Sequence, residues 1–353
     1  MGLEFFSNRQ PTMSTEEEMS REAVKEKALQ LVGRIIDKPK QFPPPDGLKT
    51  YEPQDTDVVV TTFPKSGTTL TQQLTYQVVI ATGGAGEKDP DGMSFEDLCE
   101  VAPFVDFGPK HGFVDYDSNP RVYKSHVTPS LFRSTVQKHV VVIRNPRSYP
   151  ASALDFLFEG WAGEEVTNKM ILEEVYHEFL AVRLLGLGEG FGFPFDKEDI
   201  SHKDEKKENK DKLPVGPWFL HSKAWVGAMR PNTLFLFYED IVADMGKAAK
   251  SIAKFIGREL DDAGLKQVID RCDRTYMSND PKFKCTMENK ALGFAANAWK
   301  AKPKTRNGFK QFSPTEEEEE QIKLRFRQEF GVDTYDDFKA IVYEKQRELG
   351  VTE

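Results

Sequence analysis

The chain has 353 residues, of which 39% are hydrophobic and 30% charged, and its 48 basic and 57 acidic residues give a formal charge of −9. This composition is typical of a soluble globular protein with one large domain or two ordinary ones. The acidic charge argues against binding to nucleic acid or to an anionic membrane. The three cysteines are scattered, the apolar runs are too short to span a bilayer, and the N-terminus does not read as a secretory signal. We therefore expect a cytoplasmic protein without a disulfide framework.

The first 48 residues are predicted to form a leader and a surface helix. Ser14 with Glu17, or Thr15 with Glu18, has the spacing of a capping box. Apolar residues then recur at helical spacing, which predicts a helix over about 15–37. A proline-rich connector separates this helix from the rest of the chain.

Residues 49–345 are predicted to form a single α/β domain. Four short runs rich in β-branched or aromatic residues read as strands, at 58–63, 121–125, 139–143 and 234–238. The run at 58–63 is continuous and not alternating, as in strands that are buried on both faces of a parallel sheet. Helical stretches lie between the four runs, and one is predicted from the fourth strand through about Ile256. The fold class is therefore α/β, with a central, mostly parallel β-sheet flanked by helices.

Two segments interrupt this alternation. Residues 160–213 are predicted to contain a surface insertion, because a Gly/Phe-rich stretch runs into a highly charged one. Five consecutive glutamates, 316–320, follow a proline and are predicted to form the solvated first turn of a helix, where acidic groups favour the helix dipole.

A loop between the first strand and its helix has the residues of a phosphate-binding site. Its sequence, PKSGTT over 64–69, offers backbone N–H groups at a helix N-terminus, a lysine charge and several hydroxyl groups. The loop differs from the G-x-x-x-x-G-K-[ST] loop of nucleotide kinases, because Lys65 precedes Gly67 and Thr62 stands where the first glycine would be. Binding of a Mg²⁺-triphosphate is thus the weaker interpretation of this loop. An ordinary strand-to-helix turn without a ligand is a further alternative.

Further stretches extend this pattern along the chain. They are YKSH at 123–126, RNPR at 144–147 with Ser152 beyond it, GPWFLH at 216–221 with Trp225 beyond it, FYED at 237–240 and RNG at 306–308. Together with 62–69, and in the same order, they resemble the motifs of the cytosolic sulfotransferases over roughly residues 50–315.

The resemblance implies a P-loop-like phosphosulfate-binding fold and a transferase. Its co-substrate would be 3′-phosphoadenosine 5′-phosphosulfate, its product adenosine 3′,5′-bisphosphate, and its acceptor a hydroxyl or amine of a small molecule. The residues implied in catalysis are His126 as general base, Lys65, Lys124 and Ser152. The residues implied in donor binding are Lys65, Ser66, Gly67, Thr68, Thr69 and Leu70 in the loop, Arg144, Ser152, Arg306, Asn307 and Gly308 for the 3′-phosphate, and Tyr238, Thr275 and Met277 for adenine. No metal is expected, and His111, His139, His177, His202 and His221 are read as ordinary structural histidines.

The chain also departs from the family pattern. Leu70 stands where the family has a tryptophan, and Asn307 where it has a lysine. The stretch after Gly308, which carries the family's dimer motif, is shortened, so both a monomer and a homodimer are open. Because of the longer 160–213 segment we expect an altered acceptor. A P-loop nucleotide kinase and a non-catalytic adenosine bisphosphate-binding protein are the alternative functions.

Overall fold

The computed structural model describes residues 19–37, 47–87, 89–106, 118–161, 166–186, 217–283 and 308–352. Its strands are β1 (Val58–Thr62), β2 (Val122–Ser125), β3 (Lys138–Ile143) and β4 (Thr233–Phe237). Its α-helices are α1 (Arg21–Asp37), α2 (Gly47–Thr50), α3 (Thr68–Val79), α4 (Leu98–Val101), α5 (Tyr149–Trp161), α6 (Lys169–Leu180), α7 (Pro217–Gly227), α8 (Tyr238–Ala243), α9 (Met245–Phe255), α10 (Asp262–Arg271), α11 (Arg274–Asn279), α12 (Glu316–Phe330) and α13 (Tyr335–Glu348). Every helix in these ranges is too short or too polar to span a bilayer.

Within the described residues, the four strands form one sheet in the order β2-β1-β3-β4, and every neighbouring pair is parallel. The predicted α/β class with a parallel sheet is confirmed. Thr61 of β1 pairs with Ser125 of β2, so these two neighbouring strands end side by side. The loop that follows β1 therefore lies next to the residue that follows β2, His126.

Helices cover both faces of the sheet, and side-chain alternation along β1 shows why. Val59 belongs to an apolar cluster shared with α1, α5, α6, α7, α12 and α13. Val58 and Val60 belong to a second cluster, shared with α3, α9 and α10. Successive side chains of a strand point to opposite faces, so both faces of β1 are buried. The continuous apolar run predicted this arrangement.

Two helix boundaries differ from the predicted ones because of capping side chains. The hydroxyl of Ser20 accepts from the backbone N–H of Ala23 at 3.2 Å, and α1 begins at Arg21. The predicted capping pairs, Ser14 with Glu17 and Thr15 with Glu18, lie outside the described residues. The single helix predicted after β4 is in fact two, α8 and α9. They are separated at Asp244, whose carboxylate accepts from the backbone N–H of Lys247 at 2.8 Å and starts α9. A hydroxyl or carboxylate oxygen at such a position accepts from an N–H group that has no partner inside the helix.

Part of the 160–213 segment belongs to the core. Residues 169–180 form α6, a π-helical turn follows over 181–185, and the side chains of Ile171, Leu172 and Phe179 are buried. The helix lies against α1, where Lys25 pairs with Glu178 at 3.5 Å. The rest of the predicted insertion, residues 162–165 and 187–213, lies outside the described residues.

The glutamate run forms the first turn of α12, as predicted. Thr315 and Glu318 make a reciprocal capping box there. Two of the glutamates also reach other elements, because Glu318 lies 2.9 Å from His177 of α6 and Glu319 pairs with Arg147 at 2.6 Å. The start of α12 is thus tied to the turn after β3 as well as being exposed to solvent.

The outer edge of β4 is covered by a side chain. The amide of Gln346, a fully buried residue of α13, donates to the carbonyl of Phe235 at 3.1 Å and accepts from its N–H at 2.7 Å. A glutamine thereby takes the place of a neighbouring strand at this residue.

Candidate active site

The loop after β1 is a tight cradle that only glycine allows at position 67. Lys65 and Gly67 have left-handed backbone conformations, with φ of 66° and 95°. A Cβ atom added to Gly67 would lie 2.4 Å from a ring carbon of Tyr238. The backbone of Gly67 therefore lies against the ring of Tyr238, and α3 begins at the next residue, Thr68. This geometry is that of an anion-binding helix N-terminus preceded by a lysine.

The guanidinium of Arg144 joins the turn after β3 to this loop. One of its terminal nitrogens donates to the carbonyl of Lys65 at 2.8 Å and to the hydroxyl of Ser152 at 3.1 Å. Its Nε donates to Ser148 at 2.8 Å, and the group lies 4.6 Å from the ring centre of Tyr238. The pair predicted to share an anion, Arg144 and Ser152, is thus in direct contact beside the loop.

Motif residues without a predicted role hold Arg144 in place. The indole N–H of Trp218 donates to the backbone carbonyl of Arg144 at 3.1 Å. The carboxylate of Glu239 accepts from the N–H of Asn145 at 3.0 Å and from the hydroxyl of Tyr335 at 2.9 Å. The W-x-x-H and F-Y-E-D stretches therefore build the scaffold of the R-N-P-R turn.

The side chain of Lys65 lies on the face of α5 that also carries Ser152. Its ammonium is 3.5 Å from the ring centre of Phe156, four residues after Ser152 and so on the same helix face. A cation held over an aromatic face is stabilised by the ring quadrupole. Phe156 is therefore a contact of the loop lysine that the sequence motifs did not reveal.

The late loop is fixed to α5 by a carboxylate. Asp155 accepts from the N–H of Phe309 at 2.7 Å, and a Cβ on Gly308 would lie 2.6 Å from the same carboxylate oxygen. Gly308 is thus brought to the helix that carries Ser152. Arg306 and Asn307, the other two residues predicted there, lie outside the described residues.

His126 is held as a neutral imidazole beside the loop. Its Nδ1 is 2.8 Å from the carbonyl oxygen of Thr62 and 3.2 Å from the hydroxyl of Thr62, which in turn lies 2.6 Å from the hydroxyl of Thr68. Because a carbonyl only accepts, the Nδ1 carries the proton and Nε2 carries a lone pair. Burial lowers the pKa of His126 to about 3, and the charges of Lys124 and Lys65 act in the same direction. The ring is therefore in its base form at neutral pH.

Lys124 lies beside this histidine and is not a solvent lysine. Lys124 is only 3% exposed, and its ammonium lies 5.1 Å from the ring centre of Phe104. The same ring makes an edge contact with His126 at 5.1 Å. A buried cation and a neutral base thus share one aromatic neighbour.

The residues predicted for adenine are not brought together in the same way. Tyr238 lies in the site, against the loop and Arg144. Thr275 is exposed on α11, and neither it nor Met277 shares a hydrogen bond with the loop among the described residues. Leu70 is partly buried against the second apolar cluster.

A second histidine lies beside His126. His221 of α7 is 6% exposed, hydrogen-bonds to the backbone of the His126–Val127 segment, and contacts the ring of Phe63 at 5.7 Å between centres. From the sequence, His221 was predicted to be an ordinary structural histidine. Its place within the W-x-x-H stretch is the one sequence feature that sets it apart. In the described ranges, no group of three or more His, Cys, Asp or Glu side chains is placed to hold a metal ion.

Comparisons with known proteins agree with this geometry. The family described as "Sulfotransferase domain" matches residues 55–334. The chain is 26% identical to sulfotransferase 4A1 of Mus musculus over 234 residues, which cover 64% of this chain and 69% of that protein. It is 25% identical to sulfotransferase 1E1 of Homo sapiens over 243 residues, 67% of this chain and 71% of that one.

The fold is also that of a solved sulfotransferase. The structure of mouse sulfotransferase SULT7A1 complexed with PAP, adenosine 3′,5′-bisphosphate, matches with a TM-score of 0.51 and 17% identity, over 85% of this chain and 92% of that one. The family match extends over most of the chain and includes β1 to β4, the loop at 63–67 and the R-N-P-R turn. The chain therefore belongs to the sulfotransferase family, the enzymes that move a sulfuryl group from 3′-phosphoadenosine 5′-phosphosulfate to an acceptor.

Proposed function

We propose that this chain transfers a sulfuryl group from 3′-phosphoadenosine 5′-phosphosulfate to a hydroxyl or amine of a small-molecule acceptor, with His126 as the general base. One observation carries the proposal. Thr62 ends β1, begins the anion-binding loop and also fixes the proton of His126 on Nδ1. The imidazole is thereby held beside the loop proposed to receive the phosphosulfate, with Nε2 as its unprotonated nitrogen.

Sulfuryl transfer requires a base that takes a proton from the acceptor and, close to it, cations that stabilise the leaving phosphate. The acceptor oxygen or nitrogen forms a bond to sulfur while its proton passes to Nε2 of His126. The bond between sulfur and the bridging phosphate oxygen breaks in line with the attack, and adenosine 3′,5′-bisphosphate leaves. Charge develops on the equatorial oxygens and on the leaving phosphate, so fixed cations stabilise the transition state. Lys124 supplies charge on the side of the base, and Lys65 on the side of the leaving group.

The remaining predicted residues fit the donor's two ends. The cradle at Gly67 and the hydroxyls of Thr68 and Thr69 suit the 5′-phosphosulfate, since a backbone nest at a helix N-terminus favours an anion. Arg144 and Ser152 suit the 3′-phosphate, because an arginine fork can bind phosphate oxygens in a bidentate manner. We assign Ser66, Leu70, Tyr238, Thr275, Met277, Arg306, Asn307 and Gly308 to donor binding on the family resemblance.

The surroundings of His126 favour an acceptor with an apolar body. Phe104 contacts His126, and the ring of Phe63 meets both His221 and Tyr149, at 5.7 and 5.0 Å between centres. Aromatic rings packed around a half-buried base would limit the access of water, which would otherwise compete as acceptor. A cytoplasmic location, either as a monomer or as a homodimer, goes with this proposal.

The test combines binding and turnover. Calorimetry should detect adenosine 3′,5′-bisphosphate binding to the wild type and, with similar affinity, to His126→Ala. Donor-dependent sulfation of a panel of phenols, sterols and amines should be lost in His126→Ala and retained in His139→Ala, a buried histidine at the opposite end of the sheet. Absence of binding to the wild type, or turnover by His126→Ala, would overturn the proposal. Phosphoryl transfer from ATP and Mg²⁺ without any sulfation would identify the kinase alternative instead.

A further inference from the structure

The ring of His221 packs against the segment that carries His126. It lies on α7 with 6% of its surface exposed, between the ring of Phe63 and the backbone of the His126–Val127 segment. One turn further along α7, the indole N–H of Trp225 donates to the carbonyl of Val127 at 3.1 Å. The helix therefore clamps the segment after β2 and holds His221 against the backbone of His126.

The Nε2 atom of His221 is buried without a hydrogen-bond partner among the described residues. Such an atom costs about 1–3 kcal/mol unless a partner satisfies it. His139 shows that this fold can satisfy a histidine of equal burial. It is also 6% exposed, but its Nδ1 lies 3.5 Å from the hydroxyl of Thr61 and its Nε2 lies 3.2 Å from the amide of Gln137. His221 is thus a buried histidine whose Nε2 is left without a partner, although other buried polar atoms, such as Oε1 of Gln72 and of Gln137, also lack one among the described residues.

The two histidines of the site each offer a ring nitrogen that can accept a hydrogen bond. His126 directs its N–H to a backbone carbonyl, and the hydrogen bonds of His221 to the 126–127 backbone leave its Nε2 as a bare acceptor. Two neighbouring acceptors are complementary to a ligand that brings two hydrogen-bond donors. A lone phenol or secondary alcohol brings one, and that proton goes to His126 during transfer.

We propose that His221 is a second acceptor-binding residue, and that the preferred acceptors present two N–H or O–H donors at their reacting end. Vicinal diols, catechols and primary amines share this chemistry. One donor gives its proton to His126 as the new bond to sulfur forms, while the other binds Nε2 of His221 and keeps its proton. This inference rests on the proposed function, since it concerns the acceptor side of the same reaction.

Matched acceptors measure the preference directly. Catechol is compared with guaiacol, in which a methyl ether replaces one hydroxyl, and a primary amine with its N-methyl derivative. We expect wild-type kcat/KM to be about tenfold higher for the two-donor member of each pair, the value of one good hydrogen bond in a buried site. Preference for catechol alone, or for the primary amine alone, identifies which source of the two donors the enzyme uses.

Variants of His221 then assign the preference to this residue. His221→Phe keeps a ring and removes the acceptor nitrogen, and His221→Leu removes both. Each should abolish the preference, mainly by raising KM for the two-donor acceptor, while adenosine 3′,5′-bisphosphate binds as in the wild type. His139→Leu is the matched control and should keep the preference.

The outcomes separate the two proposals. If the wild type binds no adenosine 3′,5′-bisphosphate, the proposed function fails. If it binds this nucleotide and sulfates one-donor and two-donor acceptors equally well, only the role of His221 is overturned. A preference that survives in His221→Phe or His221→Leu overturns it too. Should both variants fail to fold, the wild-type ratio decides alone.

Discussion

The backbone N–H of His126 donates to the carboxylate of Asp106 at 2.8 Å, and this carboxylate is fully buried. Its second oxygen accepts from the hydroxyl of Ser125 at 2.6 Å. The end of β2 is therefore held from the backbone side by Asp106, while Thr62 holds the imidazole from the other side. The position of the proposed base depends on a residue that does not touch it through its side chain.

Replacing Asp106 by asparagine should slow turnover without weakening donor binding. An amide offers one oxygen acceptor where the carboxylate serves two donors, so one buried donor is left unpaired at a cost of about 1–3 kcal/mol. We expect kcat to fall about 5- to 150-fold, with the affinity for adenosine 3′,5′-bisphosphate little changed. Asp97→Asn, a change at the buried N-cap of α4, is the control. An unchanged kcat in Asp106→Asn would remove this positioning role.

Gly67→Ala should abolish nucleotide binding. The residue has a φ of 95°, and the new Cβ would overlap the ring of Tyr238. Both effects would displace the loop backbone that we propose to bind the anion. Gly331→Ala is the matched control, because Gly331 also has a positive φ, 74°, but no atom within 4 Å of the added Cβ. Calorimetry should show loss of binding only in the first variant, and equal losses in both would refute the cradle.

Phe156→Leu should strengthen nucleotide binding slightly. The ammonium of Lys65 rests over the ring of Phe156 and must give up part of that contact to approach a phosphate. Such contacts are worth about 0.5–1 kcal/mol at partly exposed sites, or roughly a two- to fivefold change in Kd. Phe156→Tyr keeps the aromatic face and should bind as the wild type does. Weaker binding in Phe156→Leu would mean that the ring orients Lys65 toward the phosphate.

Folding stability should decrease as the pH is lowered from neutral. Burial lowers the pKa of His139 and of His221 to about 3, whereas an unfolded chain titrates its histidines near 6.5. Below pH 6.5 the unfolded chain therefore binds protons that the folded protein does not, and stability is lost as the pH falls toward 3. At pH 5 each residue contributes a loss of about 2 kcal/mol at most.

Urea denaturation at pH 7 and pH 5 measures this loss. His139→Gln should make the difference between the two free energies of unfolding smaller, because the glutamine does not titrate. The same free energy at both values of pH in the wild type would contradict the buried, neutral state of these histidines.

The sequence was most informative where function depends on short stretches of chain. The apolar run of β1 and the glycine after it predicted the strand, the cradle and the helix start within a few residues. The family resemblance predicted that Arg144 and Ser152 act on one anion, and the helix that begins between them brings the two side chains into contact. In each case the physical cause lies within about two helical turns of the residue concerned.

Contacts between distant segments could not be predicted in this way. Glu239 binds the N–H of Asn145 across 94 positions, and Phe156 meets Lys65 because α5 packs beside the loop. The orphan nitrogen of His221 is likewise visible only when α7 is seen lying on the segment after β2. Even the break between α8 and α9 depends on which way one aspartate side chain turns.

The bidentate amide of Gln346 on Phe235 has a consequence for self-association. An outermost strand with free backbone groups is a template on which another molecule can extend the sheet, and such growth ends in fibres or swapped assemblies. Here a helix-borne glutamine occupies those groups at the middle of the strand. The side chain of Gln346 thus hinders a strand of another molecule from pairing with this edge of the sheet.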